Sequence, residues 1–317
     1  MEILASKFEG PEKKLEIILF SSQPGLRDNP DGRWDKVVQT SQAEIISKIS
    51  NDYLDAYLLS ESSLFVWEDR ILMITCGQTT LINAVSEILG FVDKRKVALV
   101  FYERKNFMFP QEQPADFEDD VARMEQYFPG KSYRLGPANH DHVHVFYSSH
   151  AKITVQQDVT LQVLMHDLDP SVTEIYFQGN NCTGNHVLEC SGLCRVFPQM
   201  DTDNHVFTPY GFSVNGIHAQ HYFTVHVTPQ PERSYASFET NVIKSDYSGT
   251  IAKVVSLFKP EKFSVLLTTG MDDRDPQLHH MVIDTAAGYN VTEKSLYEFD
   301  CGYAVTFFNY IMNFEDG

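Results

Sequence analysis

Basic residues are scarce in this chain. Its 317 residues hold 25 Lys and Arg against 43 Asp and Glu, a formal net charge of −18 with His counted neutral. That balance argues against a nucleic-acid partner, because phosphates need clustered Lys and Arg. Long hydrophobic runs are missing too. No stretch approaches the roughly 18 uninterrupted apolar residues of a membrane span, so no membrane partner is expected. The opening residues, MEILASKFEGPEKKLE, lack the apolar segment and cleavage site of a secretory signal. Cysteines number only 5, an odd count, and the expectation is reduced thiols in the cytoplasm. A phosphate loop is absent as well: Gly184, Gly192, Gly211 and Gly216 form neither a Walker loop nor a dinucleotide fingerprint.

What is present is apolar and aromatic. Hydrophobic residues make up 43% of the chain, with 22 Phe and 15 Tyr, enough for a sizeable core. The acidic excess attracts a small cation only weakly, since salt screens such a field within about 10 Å.

Hydrophobic periodicity predicts a mixture of strands and helices. Leu15–Phe20, Tyr57–Val66, Arg70–Thr75 and Lys96–Glu103 read as strands, with a surface loop over residues 21–34. Helical spacing covers Asp35–Asn51, Thr79–Leu89 before Gly90, and Asp116–Phe128 before Pro129-Gly130. Further on, Val143–Tyr147, Lys152–Gln156, Tyr222–Val227, Ser234–Glu239, Phe263–Thr269 and Tyr303–Asn309 read as strands. Gly184–Phe197 and Ser248–Phe258 read as helices, and Asp158–Leu164 fits either type. The two halves echo each other, which predicts a duplicated α+β unit without a linker: one domain over residues 1–317.

One stretch stands out. In Tyr57–Val66 an apolar run reaches Leu59, then Glu61-Ser62-Ser63 interrupt it before Leu64-Phe65-Val66 resume. A tight polar insert between buried strands brings a hydroxyl against its own preceding carbonyl, the geometry of an N→O acyl shift. A serine-rich turn has the same composition. Its neighbours separate the two readings. They are Phe8-Glu9-Gly10-Pro11-Glu12-Lys13, Thr75-Cys76-Gly77, Phe212-Ser213-Val214-Asn215-Gly216, Val225-His226-Val227-Thr228-Pro229 and Ser234-Tyr235-Ala236-Ser237-Phe238-Glu239. In that order and spacing, from about Phe8 to Phe308, the set resembles the eukaryotic S-adenosylmethionine decarboxylase family of pyruvoyl-dependent enzymes.

The resemblance implies an α+β fold, a four-layer αββα sandwich of two antiparallel sheets flanked by helices. It implies self-cleavage at Glu61-Ser62 into a β chain of residues 1–61 and an α chain of residues 62–317. Ser62 would become the covalent pyruvoyl cofactor. His226 matches the base for the Ser62 α-proton and Ser213 the hydroxyl that stabilises the cyclic intermediate. Cys76 matches the acid that protonates the substrate carbon, a task suited to a thiol whose pKa a site can tune. Glu9 and Glu12 match acids near the site. Phe8 and Phe207 match an aromatic pair around the adenine, and Leu59 and Glu61 match further substrate contacts.

The implied activity is decarboxylation of S-adenosyl-L-methionine to the aminopropyl donor for spermidine and spermine, with the two chains associated singly or as (αβ)2. Two departures qualify it. Gln230 stands where the family usually has a Glu that grips the ribose diol, so affinity is expected to be weaker. Asp158, Thr160, Glu239, Phe101 and Arg104 match the putrescine pocket of mammalian members, but Gln162 replaces an acid there. Lys14 falls where mammalian members are apolar and plant members basic, so an internal ammonium is expected to replace the diamine. Two alternatives stay open: a catalytically weak paralogue serving as a regulatory subunit, and pyruvoyl chemistry on another amino acid.

No metal site is expected. Cys182, His186, Cys190 and Cys194 would line one helix face rather than surround an ion. His140, His142 and His144 share one face of a strand.

Overall fold

The first half of the chain lays down one antiparallel sheet. The computed structural model describes residues 9–150, 158–177, 183–270 and 287–313. The strands are β1 (Lys13–Leu19), β2 (Ile45–Ser50), β3 (Leu54–Leu59), β4 (Ser62–Trp67), β5 (Arg70–Thr75), β6 (Val97–Lys105), β7 (Lys131–Leu135) and β8 (Val143–Ser149). Their order across the sheet is β2-β3-β4-β5-β1-β6-β8-β7. Helices α1 (Arg33–Thr40), α2 (Ala84–Leu89) and α3 (Phe117–Met124) cover its outer face.

The second half repeats the plan with β9 (Val159–Leu168), β10 (Asp201–Val206), β11 (Phe212–His218), β12 (His221–Thr228), β13 (Tyr235–Thr240), β14 (Pro260–Thr269), β15 (Tyr289–Glu298) and β16 (Ala304–Met312). The order is β10-β11-β12-β13-β9-β14-β16-β15. Counted from the first strand of each half, the two orders are the same. Helices α4 (Pro170–Thr173), α5 (Gly184–Cys190) and α6 (Ser248–Phe258) belong to this half, with α5 and α6 packed on its sheet.

Strand alternation sorts the side chains into layers. On β1, Leu15, Ile17 and Leu19 pack with Trp34, Val38, Val85 and Ile88 under the first helices. On β9, Val159, Leu161, Val163 and Met165 pack with Ile251, Val254 and Phe258 under α6. The opposite faces meet one another. Phe65, Trp67 and Leu72 join Ile217 and Tyr222 at one end of that interface, and Phe101 and Tyr147 join Leu266 and Phe307 at the other. The expected four-layer αββα sandwich is therefore the fold observed. Both faces of a central strand are covered, which is why β4 reads as unbroken burial rather than as alternation.

Local chemistry marks several boundaries. Asp116 caps α3 by accepting from Asp119 N at 2.8 Å, and the Asp119 carboxylate returns the bond. Lys259 turns the chain out of α6 with φ of 44° just before Pro260. The expectation of one helix over Asp35–Asn51 is corrected: it is α1 followed by β2. The spacing of Val37 and Val38 is helical, but Ile45 to Ser50 alternate half-buried with exposed, as an edge strand does. The helix expected over Gly184–Phe197 breaks at Gly192, φ 77°, leaving a short 3-10 turn over Leu193–Arg195. Asp158–Leu164 belongs to a strand. Lys152–Gln156 lies outside the described residues. Among the described residues no helix is long and apolar enough to cross a membrane.

Phe65 tests the inter-sheet seam, being fully buried with its ring 4.5 Å from that of Tyr222. Phe65→Ala should cost about 3–5 kcal/mol in urea unfolding. Leu296→Ala, at a side chain 56% exposed on an edge strand, should change stability by less than about 0.5 kcal/mol.

Candidate active site

The polar insert is a two-residue hairpin turn. β3 pairs with β4 so that Leu59 faces Ser62, leaving Ser60 and Glu61 at the tip. Ser62 has φ of 122°, a conformation that costs a non-glycine residue of order 1–3 kcal/mol. Its Oγ is buried without a hydrogen-bond partner among the described residues. Next to it, the Glu61 carbonyl oxygen accepts from Cys76 N at 3.0 Å and from Cys76 Sγ at 3.5 Å. The Glu61 carbonyl is thus polarised by two donors, with the buried Ser62 hydroxyl and the Cys76 thiol beside it.

The other sheet brings up an imidazole. Alternation on β11 and β12 points Ser213, Asn215, Thr224 and His226 toward β4. Ser213 Oγ lies 2.8 Å from His226 Nδ1, and Thr224 Oγ1 lies 2.9 Å from Nε2. Burial pushes the imidazole down to about 3, so it is neutral. Ser213 is a strand residue, not the turn residue that Asn215-Gly216 would suggest on their own.

Cys76 directly follows β5, beside a tight turn. Gly77 takes φ of 61°, which favours glycine. Lys13 Nζ ties this turn down through the carbonyls of Gly77 at 3.1 Å and Thr79 at 3.0 Å and through Gln113 Oε1 at 2.8 Å. Burial first, and the Glu61 carboxylate second, push the Cys76 thiol well up. The site thus tunes the thiol upward and holds it protonated. Glu61 is itself pushed up to about 7 by burial, with Lys13 opposing.

Ser62, Cys76, Ser213, His226, Glu61, Phe207, Tyr210, Gly10 and Val227 border one cavity between the sheets. A Cβ at Gly10 would stand 2.7 Å from the Tyr235 ring, so only glycine lets β1's approach pass there. Other expected contacts sit differently. Leu59 packs in the core under the first helices. Glu9 accepts from Phe109 N at 2.8 Å and Gln113 Nε2 at 3.3 Å, tying down the loop after β6. Gln230 reaches the cavity through a neighbour, donating from Nε2 to the Tyr210 hydroxyl. Phe8 lies outside the described residues.

The residues matched to a diamine pocket are gathered between the central strands, with one exception. Lys14 Nζ lies 3.1 Å from Glu239 Oε2 and 3.9 Å from Glu103 Oε1. Burial works to lower its pKa, but Glu239, Glu103 and Glu16 outweigh it and hold the ammonium above its ordinary range. Against burial, Lys105 and Lys14 hold Glu103 down to about 2. Gln162 accepts from Lys105 and donates to Glu103 at 2.9 Å. Asp158 is taken by Arg70 at 2.8 Å and by the Tyr303 hydroxyl at 2.6 Å. Arg104 does not face this cluster: it sits one residue out of phase on β6 and binds Asp120 at 2.6 Å on the helix side.

Sequence reasoning missed several of these groups. Glu16, Arg70 and Glu103 supply charges that the matched positions left out, and the i, i+2 spacing of Lys14 with Glu16 and of Phe101 with Glu103 was the available signal. The pairs 213/215 and 224/226 carried the same signal for Asn215 and Thr224.

Comparison with known proteins fits this geometry. Residues 5–311 match the family model described as adenosylmethionine decarboxylase. The chain is 34% identical over 325 residues to the S-adenosylmethionine decarboxylase proenzyme of Dictyostelium discoideum, covering 96% of this chain and 85% of that protein. It is 38% identical over 283 residues to the proenzyme of that name from Xenopus laevis, with 84% of each covered. A crystal structure of the Trypanosoma brucei AdoMetDC-delta26 monomer superposes with a TM-score of 0.63 at 27% identity, covering 79% of this chain and 99% of that one.

Glu12 sits in the field of Lys105, Glu239 and Lys14 in the charged cluster. Ser237 donates to it at 2.6 Å, and burial pushes its carboxyl up to about 7. An acid whose folded pKa is raised binds more protons folded than unfolded, so its contribution to stability falls as pH rises from 4.5 to about 7. Glu12→Gln should therefore lose less stability, and less Tm, than the parent between pH 5 and pH 8, the stability difference reaching up to about 3 kcal/mol. A Tm difference that does not change with pH would mean that Glu12 ionises normally.

Proposed function

The chain belongs to the adenosylmethionine decarboxylase family, and we propose that it decarboxylates S-adenosylmethionine after cutting itself between Glu61 and Ser62. The observation that carries this reading is the 61–62 bond itself. Its serine is backbone-strained with a buried hydroxyl that, among the described residues, has only the Cys76 thiol near it, and its carbonyl is held by Cys76.

In the first step Ser62 Oγ attacks the Glu61 carbonyl carbon, the C–N bond breaks, and an ester replaces the peptide. His226 then takes the α-proton of Ser62, and the ester leaves as the Glu61 carboxylate. The dehydroalanine left at 62 takes up water and releases ammonia, which yields the pyruvoyl terminus. The surroundings fit such a group: a buried, uncommitted position 62 with a protonated thiol and a neutral imidazole bordering the same cavity. When present, the group supplies a sink for the electron pair released as carbon dioxide departs. The remaining work falls to side chains. Cys76, kept protonated by burial, delivers a proton to the substrate carbon. Phe207 offers a ring face to the adenine and to the sulfonium charge beside it. The product is the aminopropyl donor for spermidine and spermine, made in the cytoplasm by a single domain whose two chains stay together.

The charged cluster carries a second part of the proposal: Lys14 stands in for a diamine activator. The free space left beside it is about 10 Å³, at the lower bound for one water molecule.

Intact mass under denaturing, reducing conditions tests the first part. The 36.2 kDa chain should appear as species of about 7 and about 29 kDa, the larger without a free amine, and Ser62→Ala should remain whole. A wild-type chain that stays whole on incubation overturns self-cleavage. For the second part, adding putrescine at neutral pH should leave the decarboxylation rate unchanged. A several-fold rise would remove Lys14 from that role.

A further inference from the structure

The hydrogen bonds around His226 fix which of its nitrogens carries the proton. The Tyr57 carbonyl can only accept, so the Asn215 group 3.1 Å from it is the NH₂. Asn215 Oδ1 therefore faces the other way, toward Ser63 Oγ at 2.7 Å and Thr224 Oγ1 at 2.9 Å. A carboxamide oxygen also only accepts. Both contacts need a hydroxyl proton in between, since otherwise lone pairs would abut at those distances. Each hydroxyl has one proton, and it is spent on Asn215.

What remains for His226 Nε2 is lone pairs. Thr224 Oγ1 lies 2.9 Å from it and Ser63 Oγ 3.3 Å. Nε2 must donate. The imidazole is neutral, so Nδ1 is bare and accepts from the Ser213 hydroxyl at 2.8 Å. Every one of these polar side chains is buried, where a mismatched pair is costly.

We propose that Asn215 and Thr224 lock His226 in the Nε2–H tautomer, which places the basic lone pair on Nδ1 against Ser213 at the Ser62 cavity. Asn215 and Thr224 touch no reacting atom and are positioning residues. Their effect on cleavage rests on the self-processing reading of Glu61-Ser62. The tautomer itself does not, because it follows from the uncut chain.

Nitrogen-15 spectra of histidine-labelled full-length Ser62→Ala protein at pH 7 read the tautomer directly, with the His226 signals assigned by their loss in His226→Gln. The expected result is a protonated Nε2 and a bare Nδ1. A protonated Nδ1, or protons on both nitrogens, overturns the proposal. In the otherwise wild-type chain, Thr224→Val keeps the shape but removes the acceptor, and should slow cleavage about tenfold or more, with Thr224→Ser within about twofold of the parent. Equal slowing by Val and Ser would assign the effect to packing and overturn the positioning role. If the wild-type chain is never cut, self-cleavage falls while the spectra still decide the tautomer.

Discussion

The ion pair between Lys14 and Glu239 spans the two sheets at their central strands, and the rest of the interface is arranged around it. Two sheets that bury only apolar faces against each other need no charge between them. Here Lys14 and Lys105, both buried, and the half-buried Arg70 are set among the buried Glu16, Glu103, Asp158 and Glu239. Desolvating such groups is expensive unless each finds its partner, and losing one partner of a buried pair costs about 3–5 kcal/mol. The cluster is therefore a registration device: strands that slipped by one residue would leave a charge facing Leu15 or Val163. It also keeps the two sheets from closing on a wholly apolar seam. Glu12 lies in the field of this cluster, bonded to Ser237, which pairs in register with His226.

Chain duplication explains how the cavity is assembled. Each half supplies the same eight-strand order, and the fourth strand of each lines the cavity: β4 begins with Ser62 and β12 bears the His226 imidazole. The Ser62 hydroxyl and the Glu61 carbonyl come from the first sheet, while the imidazole and its hydrogen-bond partners Ser213 and Thr224 come from the second. Burial between the sheets then keeps His226 neutral and Cys76 protonated. The proton chemistry thus follows from the layer architecture rather than from a neighbouring charge.

The central strands and the site were largely legible in the sequence, and the margins were not. β2, β7, β10 and β15 are the four sheet edges, and none was read as a strand. Edge strands face solvent on one side and carry Lys, Asp, Asn and Ser, so the apolar signal thins out; β15 in particular is mostly exposed. β11 was obscured by Asn215-Gly216, whose local preference for turns is overridden by pairing on both sides. The resemblance located Ser62, Cys76, Ser213 and His226, all of which border the cavity. It misplaced Arg104 because a motif match carries no parity: adjacent strand residues face opposite layers, and only pairing shows which. The acids that complete the Lys14 cluster escaped notice because they lie at positions the matched motif left out.

The hairpin at residues 60 and 61 joins neighbouring strands of a sheet in which β1 lies between β5 and β6. Cutting that turn would leave the first 61 residues contributing two interior strands, β1 and β3, as well as the edge strand β2, woven into a sheet otherwise built by the other piece. The fragment would have no route out that spared the sheet. Folding would also change its molecularity: a chain that reached this state alone would, once cut and unfolded, have to return by a two-body encounter. Its recovery would then depend on concentration, and self-cleavage would act as a ratchet in which folding must precede the chemistry.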